Sequence, residues 1–413
     1  MVFGKFAVDY EERINYDRLR KERVERARTQ MEKYGIGAIL SFDCDNIRYL
    51  TSYYVTTPMR CSESQAVFFP RNGEPYLVVA GIPQETERRM PWMQGRIIPL
   101  IGFHRLSAID SSDPVIGKYV EKIGGLMAQH GITKEPLGVD GSTLQLLFAE
   151  AFGRKGIKVV HGRPPLDFAR AIKTRDEINL IRLSCANAEK AFAAVADAIR
   201  PGVKECDLVA VGIKALYEEG VDHTEDLVCM SGNNTNPYGL TFTDRMVRPG
   251  DLVYVDVDGN SYQGYKTCIY RTFCCGKATG EQKELYQECY EMLYEGIKAV
   301  KAGNTDHDII AAWPDSPKYW GYDTWNEVSP LAVGHGLGLT LHDRPFINNT
   351  HKVLGTPPTR LEANMVLALE TWTGKKGGYD GVRLEEMVLV KEDGYEVLSR
   401  FPVRELIECW RPI

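Results

Sequence analysis

The period of the apolar positions changes near residue 170. Before that point, short apolar runs of strand length alternate with amphipathic segments of helical period. Tyr16 to Tyr34 predicts a charged amphipathic helix closed by Gly35, and Ile36 to Phe42 a strand. Ala66 to Pro70 and Tyr76 to Val79 flank Asn72-Gly73, a dipeptide that favours the backbone of a tight hairpin turn. Pro114 to His130 predicts a helix stopped by Gly131, and Leu137 to Val139 and Ile157 to Val160 predict short buried strands. This half is α/β and carries no convincing catalytic cluster.

The second half opens with Thr174 and Glu177, whose hydroxyl and carboxylate can each satisfy an orphan N–H of a helix start. A long helix is expected from there to Ile199, ended by Pro201-Gly202, then a second from Val209 to Glu219, stopped by Gly220. Strand-like runs fill roughly 226–274. Glu281 to Ala302 is helical again, Gly303 ends it, and a shorter helix follows. The order repeats itself weakly: Ala198-Ile199 falls on Ala299-Val300 at an offset of 101, and at that offset Gly202 falls on Gly303, Asp207 on Asp308 and Gly220 on Gly321. Each copy continues into an apolar run that ends in a carboxylate, Asp256 in one and Glu370 in the other. A duplicated helix–helix–sheet unit would set those two acids in related positions on one sheet. Pro314 interrupts the second copy.

A chain of 413 residues exceeds one ordinary core and predicts two domains, 1–165 and 166–413. The net charge of −6 argues against nucleic acid or an anionic membrane as partner, since phosphate binding needs a basic surface. No apolar run approaches the roughly 20 residues of a membrane span, and Met1 to Arg13 has no apolar signal core. The ten cysteines are scattered apart from Cys274-Cys275, without CxxC or Cys/His zinc spacing, as in reduced cytosolic chains. The expected location is the cytoplasm.

Four apolar segments of the second half hold acids or histidine where a strand should be buried: Val255 to Asp258, Gly334 to Gly338, Leu369 to Thr371 and Leu384 to Met387. Buried carboxylates are costly unless paired or bound to a cation, and several converging with a histidine form the donor set of a divalent metal site. Taken singly, each has a plainer explanation. Asp256 and Asp258 could cap the turn before Gly259-Asn260, Glu370 could pair with an arginine, and His335 could merely hydrogen-bond a carbonyl. One of Glu385 and Glu386 could be solvated and the other structural.

Order and spacing carry more. Gly334-His335-Gly336-Leu337-Gly338, then His342-Asp343-Arg344-Pro345, resembles the GHGxG…HExP segment of the pita-bread metallopeptidases, the fold of methionine aminopeptidase, proline peptidases and creatinase. Gly381-Val382-Arg383-Leu384-Glu385-Glu386 resembles the family's last metal-binding strand, Met365 to Glu370 the strand with its other glutamate, and Arg248 to Asp258 with Arg271-Thr272-Phe273 its first-ligand region. The resemblance is strong over about 170–400 and extends weakly into the first half through Asn46 to Thr51. It implies a creatinase-like N-terminal α/β domain followed by an α+β pita-bread catalytic domain with a pseudo-twofold internal repeat. It implies a homodimer, and a divalent metal (Zn, Mn, Fe or Co) as one or two ions. Asp256 or Asp258, His335, Glu370 and Glu385 would be ligands, with Glu370 also the proton-transfer base. His342 would assist catalysis near His335, and Tyr238 and Arg383 would contact substrate.

Two departures stand out. Cys268 occupies the place of the usual bridging aspartate, and Ser231-Gly232-Asn233-Asn234-Thr235-Asn236-Pro237 lacks the histidine that peptidases carry upstream. Both predict weak Xaa-Pro peptidase activity. The "SGxxTNP" segment and the Asp-x-Asp pair are similar to the dimethylsulfoniopropionate lyases of the same fold. Three outcomes follow for Cys268: a zinc site that uses the thiol, a site rebuilt with Asp256, or a site with little or no metal, as in creatinase. The adjacent Asp-x-Asp favours the second, because alternate residues of a strand share a face. The leading expectation is a metal-dependent hydrolase acting on a C–N bond of a small polar or short-peptide substrate. The alternatives are a C–S or C–N lyase, a metal-free creatinase-like hydrolase, and a non-catalytic binding module.

Overall fold

The structure is a computed structural model and describes residues 14–56, 63–80, 82–100, 109–327, 332–348 and 354–410. The Met1–Arg13 segment, where a signal core was judged absent, lies outside them. Among the described residues no helix is long and apolar enough to cross a membrane. The chain divides into two compact units, Met1–Arg170 and Ala171–Ile413.

The first unit runs α1 (Tyr16–Lys33), β1 (Ala38–Ser41), α2 (Cys44–Thr51), β2 (Gln65–Pro70), β3 (Tyr76–Val79), α3 (Pro83–Arg89), β4 (Ile97–Pro99), α4 (Pro114–Gln129), β5 (Leu137–Asp140), α5 (Gln145–Gly153), β6 (Val159–His161) and α6 (Arg163–Ala171). Its six strands form one sheet in the order β4-β3-β2-β1-β5-β6. β1 is antiparallel to β2 and parallel to β5, and every residue of β1 is buried, as a central strand requires. The strand expected to reach Phe42 ends at Ser41, because Asp43 accepts from the backbone N–H groups of Asp45 and Asn46 and opens α2. The hairpin expected at Asn72-Gly73 joins β2 to β3, with Gly73 N donating to Pro70 O at 3.1 Å. Phe42, Phe68, Tyr119 and Phe148 lie in the core of this unit.

The second unit runs α7 (Arg175–Ala198), α8 (Glu205–Glu218), β7 (Asp226–Ser231), β8 (Leu252–Asp258), β9 (Asn260–Tyr262), β10 (Tyr265–Thr267), β11 (Tyr270–Cys275), α9 (Gly280–Lys298), α10 (Asp306–Ala311), β12 (Ala332–Gly336), β13 (Asp343–Asn348), β14 (Val366–Thr373), β15 (Val382–Lys391), β16 (Gly394–Val397) and β17 (Ile407–Cys409). Two copies of helix, helix and sheet are visible in its bonding. Thr174 and Glu177 form a reciprocal capping box at α7, and Thr279 and Gln282 do so at α9. Gly202 N donates to Val247 O and Gly303 N to Leu361 O, both at 2.9 Å. Glu205 N donates to Arg245 O at 3.1 Å and Asp306 N to Thr359 O at 3.0 Å. The donors of these bonds keep the 101-residue offset, while their acceptors stand 114 apart (361 − 247 and 359 − 245), the offset that also relates Asp256 to Glu370. α8 starts at Glu205, four residues before the expected Val209, because Asp207 accepts from Lys204 N at 3.1 Å and fixes an earlier cap. α10 is less than half as long as α8, in keeping with the break at Pro314.

The two repeated carboxylates do not share one sheet. Asp256 lies on the four-stranded sheet β17-β11-β8-β7 and Glu370 on the five-stranded sheet β13-β12-β14-β15-β16. The sheets meet at β11 and β15, where side chains bridge to backbone instead of forming a continuous ladder. Thr272 Oγ1 donates to Arg383 O at 2.8 Å and accepts from Arg383 N at 3.1 Å, and the Arg271 guanidinium donates to Glu385 O.

Candidate metal centre

Strand alternation aims the acids. On β8, Asp256 and Asp258 share a face, and Val257 between them is fully buried on the other. On β15, Glu385 and Glu386 point to opposite faces. Glu386 is taken by Arg271 at 2.9 Å, by Tyr294 and by Ser399, so it is the structural acid of the pair. Glu385 is left facing Glu370, its cross-strand neighbour on β14. β14 also pairs with β12, which carries His335. Gly336 is the one residue type that fits after it, since a Cβ there would stand 1.9 Å from Arg344 O at the bulge between β12 and β13.

These strands bring together the residues singled out from the sequence. Donor atoms of Asp256, Asp258 and Cys268 lie within 4.8 Å of one another, as do those of Cys268, His335 and Glu385. Cys268 belongs to both groups. Asp256 Oδ1, Asp258 Oδ1, both carboxylate oxygens of Glu385 and His335 Nε2 are buried without a hydrogen-bond partner. His335 Nδ1 lies 3.1 Å from Gly336 O. A carbonyl only accepts, so Nδ1 carries the proton and Nε2 presents its lone pair to the acids, the tautomer that binds a cation. A carbonyl bond is what the plainer view of His335 foresaw, but it uses one nitrogen only.

Glu370 is partly engaged. Arg383 Nε donates to Glu370 Oε2 at 3.0 Å, and Arg383 Nη2 donates to the same oxygen. The arginine partner imagined for Glu370 therefore exists, and the second oxygen remains for chemistry. The Arg383 guanidinium lies 4.2 Å from the ring centroids of both Tyr238 and Tyr270. Tyr238 thus spends one ring face on Arg383. Tyr270 was not foreseen, although alternation from Cys268 places it on the same face of the chain. The exposed His342 has its ring centroid 4.4 Å from that of His335, at the open side of the cluster. The Ser231–Pro237 segment is fixed by the scaffold: Glu205 accepts from Ser231 N and Oγ, and Trp372 Nε1 donates to Thr235 O.

Without a cation the cluster is electrostatically uncomfortable. Burial, then the neighbouring Asp258 and Glu385, pushes Asp256 well above the usual carboxylate range. Burial raises Asp258 to about 7, with Glu225 and Glu370 adding to it and the Cys268 thiol opposing. Glu385 is raised by burial and by Glu370. The adjacent thiol eases this slightly without making a well-formed hydrogen bond to either Glu385 oxygen. Burial and His342 lower His335 to about 4. Burial and the surrounding acids push the Cys268 thiol up. A divalent cation inverts this logic, because its charge favours every anionic donor around it. One nitrogen, one sulfur and several carboxylate oxygens, buried and unpaired, fit such an ion.

Fold and candidate donor set together are those of a pita-bread enzyme, with the cluster drawn from its two repeated sheets. Residues 179–392 match the model of metallopeptidase family M24, and residues 23–172 match that of the creatinase/prolidase N-terminal domain. The chain belongs to metallopeptidase family M24 and is a hydrolase of that family. It is 30% identical over 280 residues to an Xaa-Pro dipeptidase of Pyrococcus furiosus, covering 66% of this chain and 76% of that one. The structure resembles an Xaa-Pro dipeptidase from Bacillus anthracis, with a TM-score of 0.74 at 23% identity over 94% of this chain and 99% of that one. It also resembles the Pyrococcus furiosus prolidase, with a TM-score of 0.69 at 23% identity over 90% and 99%. At those identities the two structures speak for the fold alone.

Proposed function

We propose that the chain is a metal-dependent hydrolase that cleaves an amide C–N bond in a small polar substrate or short peptide, with Asp256, Asp258, His335, Glu370 and Glu385 around the cation. The observation that carries this reading is the set of buried, unpartnered donor atoms on Asp256, Asp258, His335 and Glu385. An isolated structural core would not leave so many polar atoms unpaired. A divalent cation held there would polarise the scissile carbonyl and lower the pKa of water.

The protein's own groups do the rest. Arg383 fixes Glu370 by one oxygen, and the other is placed to take a proton from the attacking water and hand it to the departing nitrogen. His342, exposed beside His335, stands where it can donate to the oxygen that gains charge. No histidine reaches in from the Ser231–Pro237 segment, so proline-type dipeptides lack the contact that this position gives in peptidases.

Metal-stripped and metal-restored protein should be offered Xaa-Pro dipeptides, other dipeptides and small N-acyl amines, and products identified by mass. The expected result is metal-dependent release of an amine and an acid with poor Xaa-Pro turnover. Elimination products with no water incorporated would defeat the hydrolase reading.

A further inference from the structure

Resting on the metal-dependent reading above, we propose that Cys268 binds the cation as a thiolate, as the donor common to both halves of the site. The centre would then select a borderline-soft ion, zinc or cobalt, over manganese or magnesium.

Position comes first. β8 and β11 pair Asp256 with Tyr270, and beyond that pair the backbone continues with Val257 N donating to Ile269 O at 3.1 Å and Gly259 N to Thr267 O at 2.9 Å. The register leaves Cys268 opposite Asp258, at the end of the strand pair that looks toward β12 and β15. Its sulfur lies within 4.8 Å of donor atoms from both the Asp256–Asp258 group and the His335–Glu385 group, and the residue is 4% exposed. A four-coordinate zinc centre holds its donors about 3.5 Å apart, given bonds of about 2.0 to 2.3 Å. Side-chain adjustment of about an ångström closes that gap.

A buried cysteine is often a small apolar filler. Here donor atoms of Asp256, Asp258, His335 and Glu385 stand within 4.8 Å of the sulfur, and each of these four residues has a buried polar atom without a hydrogen-bond partner. A filler would leave those atoms without partners, whereas a ligand shares their cation. Asp256 alone does not explain the arrangement either. It stands with Asp258 and Cys268, whereas His335 and Glu385 group with that same sulfur, so Cys268 is the residue common to both groups. Coordination forms one metal–sulfur bond and displaces the thiol proton to solvent. A thiolate offers a single soft donor where a carboxylate offers two hard ones, and soft donors favour zinc and cobalt over manganese and magnesium.

The test uses the full chain, stripped with chelator and titrated with Co²⁺. The parent should develop a sulfur-to-cobalt charge-transfer band in the near ultraviolet beside the visible ligand-field bands. Cys268→Ser should lose that band and keep the visible ones, and Cys268→Asp should lower the zinc-over-manganese affinity ratio about tenfold or more. Because the band is read on the parent, a poorly folded variant does not remove the test. Cobalt bound by the parent without the band would overturn the thiolate assignment and leave the metal-dependent reading standing. A band that persists in Cys268→Ser would assign it to another cysteine and overturn the proposal. A parent that binds no cobalt, zinc or manganese would sink both.

Discussion

Arg383 carries its charge between two tyrosine rings and delivers two N–H groups to one oxygen of Glu370. Removing one partner of a buried pair strands the other, at a cost of about 3–5 kcal/mol. Arg383→Met should therefore lower the stability in urea by that order, and a shift under about 1 kcal/mol would contradict the buried-pair picture. Arg383→Lys should recover only part of it, since a lysine has no planar fork to share between Glu370 and the rings. The cluster also predicts how metal-free protein responds to pH. Asp256, Asp258 and Glu385 are raised in the fold, so their folded forms hold protons that the unfolded chain has released above about pH 4. Their contribution falls as pH rises. His335 is lowered to about 4, so its contribution runs the other way, growing as pH rises toward about 6.5. Above that only the acids titrate, and chelated protein should lose melting temperature from pH 6.5 to 8. Added zinc should cancel the loss. Chelated protein that gains stability over that interval would show the acids to be paired in some other way.

At the scale of elements, the two capping boxes sit at equivalent helix starts and should behave alike. Thr174→Ala and Thr279→Ala each remove a side-chain acceptor for an N3 backbone N–H, at about 1 kcal/mol apiece. Thermal melts should show two similar losses, with metal content unchanged because neither threonine touches the donors. Gly336→Ala should be different in kind. Its Cβ would meet a backbone oxygen, which cannot rotate away, and relief has to come from moving β12 or β13. His335 moves with β12, so this variant should lose metal as well as stability. Full metal occupancy with an unchanged melt would show that the bulge yields easily. The boundaries of α7 and the start of α9 were legible in the sequence because capping is local, but α9 ends at Lys298, four residues short of the expected Ala302, where Ala299 N donates back to Gly296 O and closes the last turn. The early start of α8 was missed, although Asp207 is the equivalent of Asp308 and marks the cap three residues before it.

At the scale of the molecule, every donor proposed for the cation lies in the Ala171–Ile413 unit, which has its own core around Trp320, Trp372 and Leu384. A fragment of residues 171–413 should bind zinc with the stoichiometry of the whole chain, while 1–170 should bind none. Metal bound only by the full chain would show that the first unit is needed to complete the site. The order of helices and strands, the offset of 101 and the candidate residues of the cluster were present in the sequence, because capping, alternation and residue chemistry are local properties. The resemblance named Glu385 for the site, but the pairing of Glu386 with Arg271, which removes the other acid, was open in the sequence. So were the hold of Arg383 on Glu370 and the place of Cys268 in both donor groups. Those depend on which faces of β8, β11, β14 and β15 meet across two sheets, and residues more than 100 positions apart acquire that relation only when the core packs.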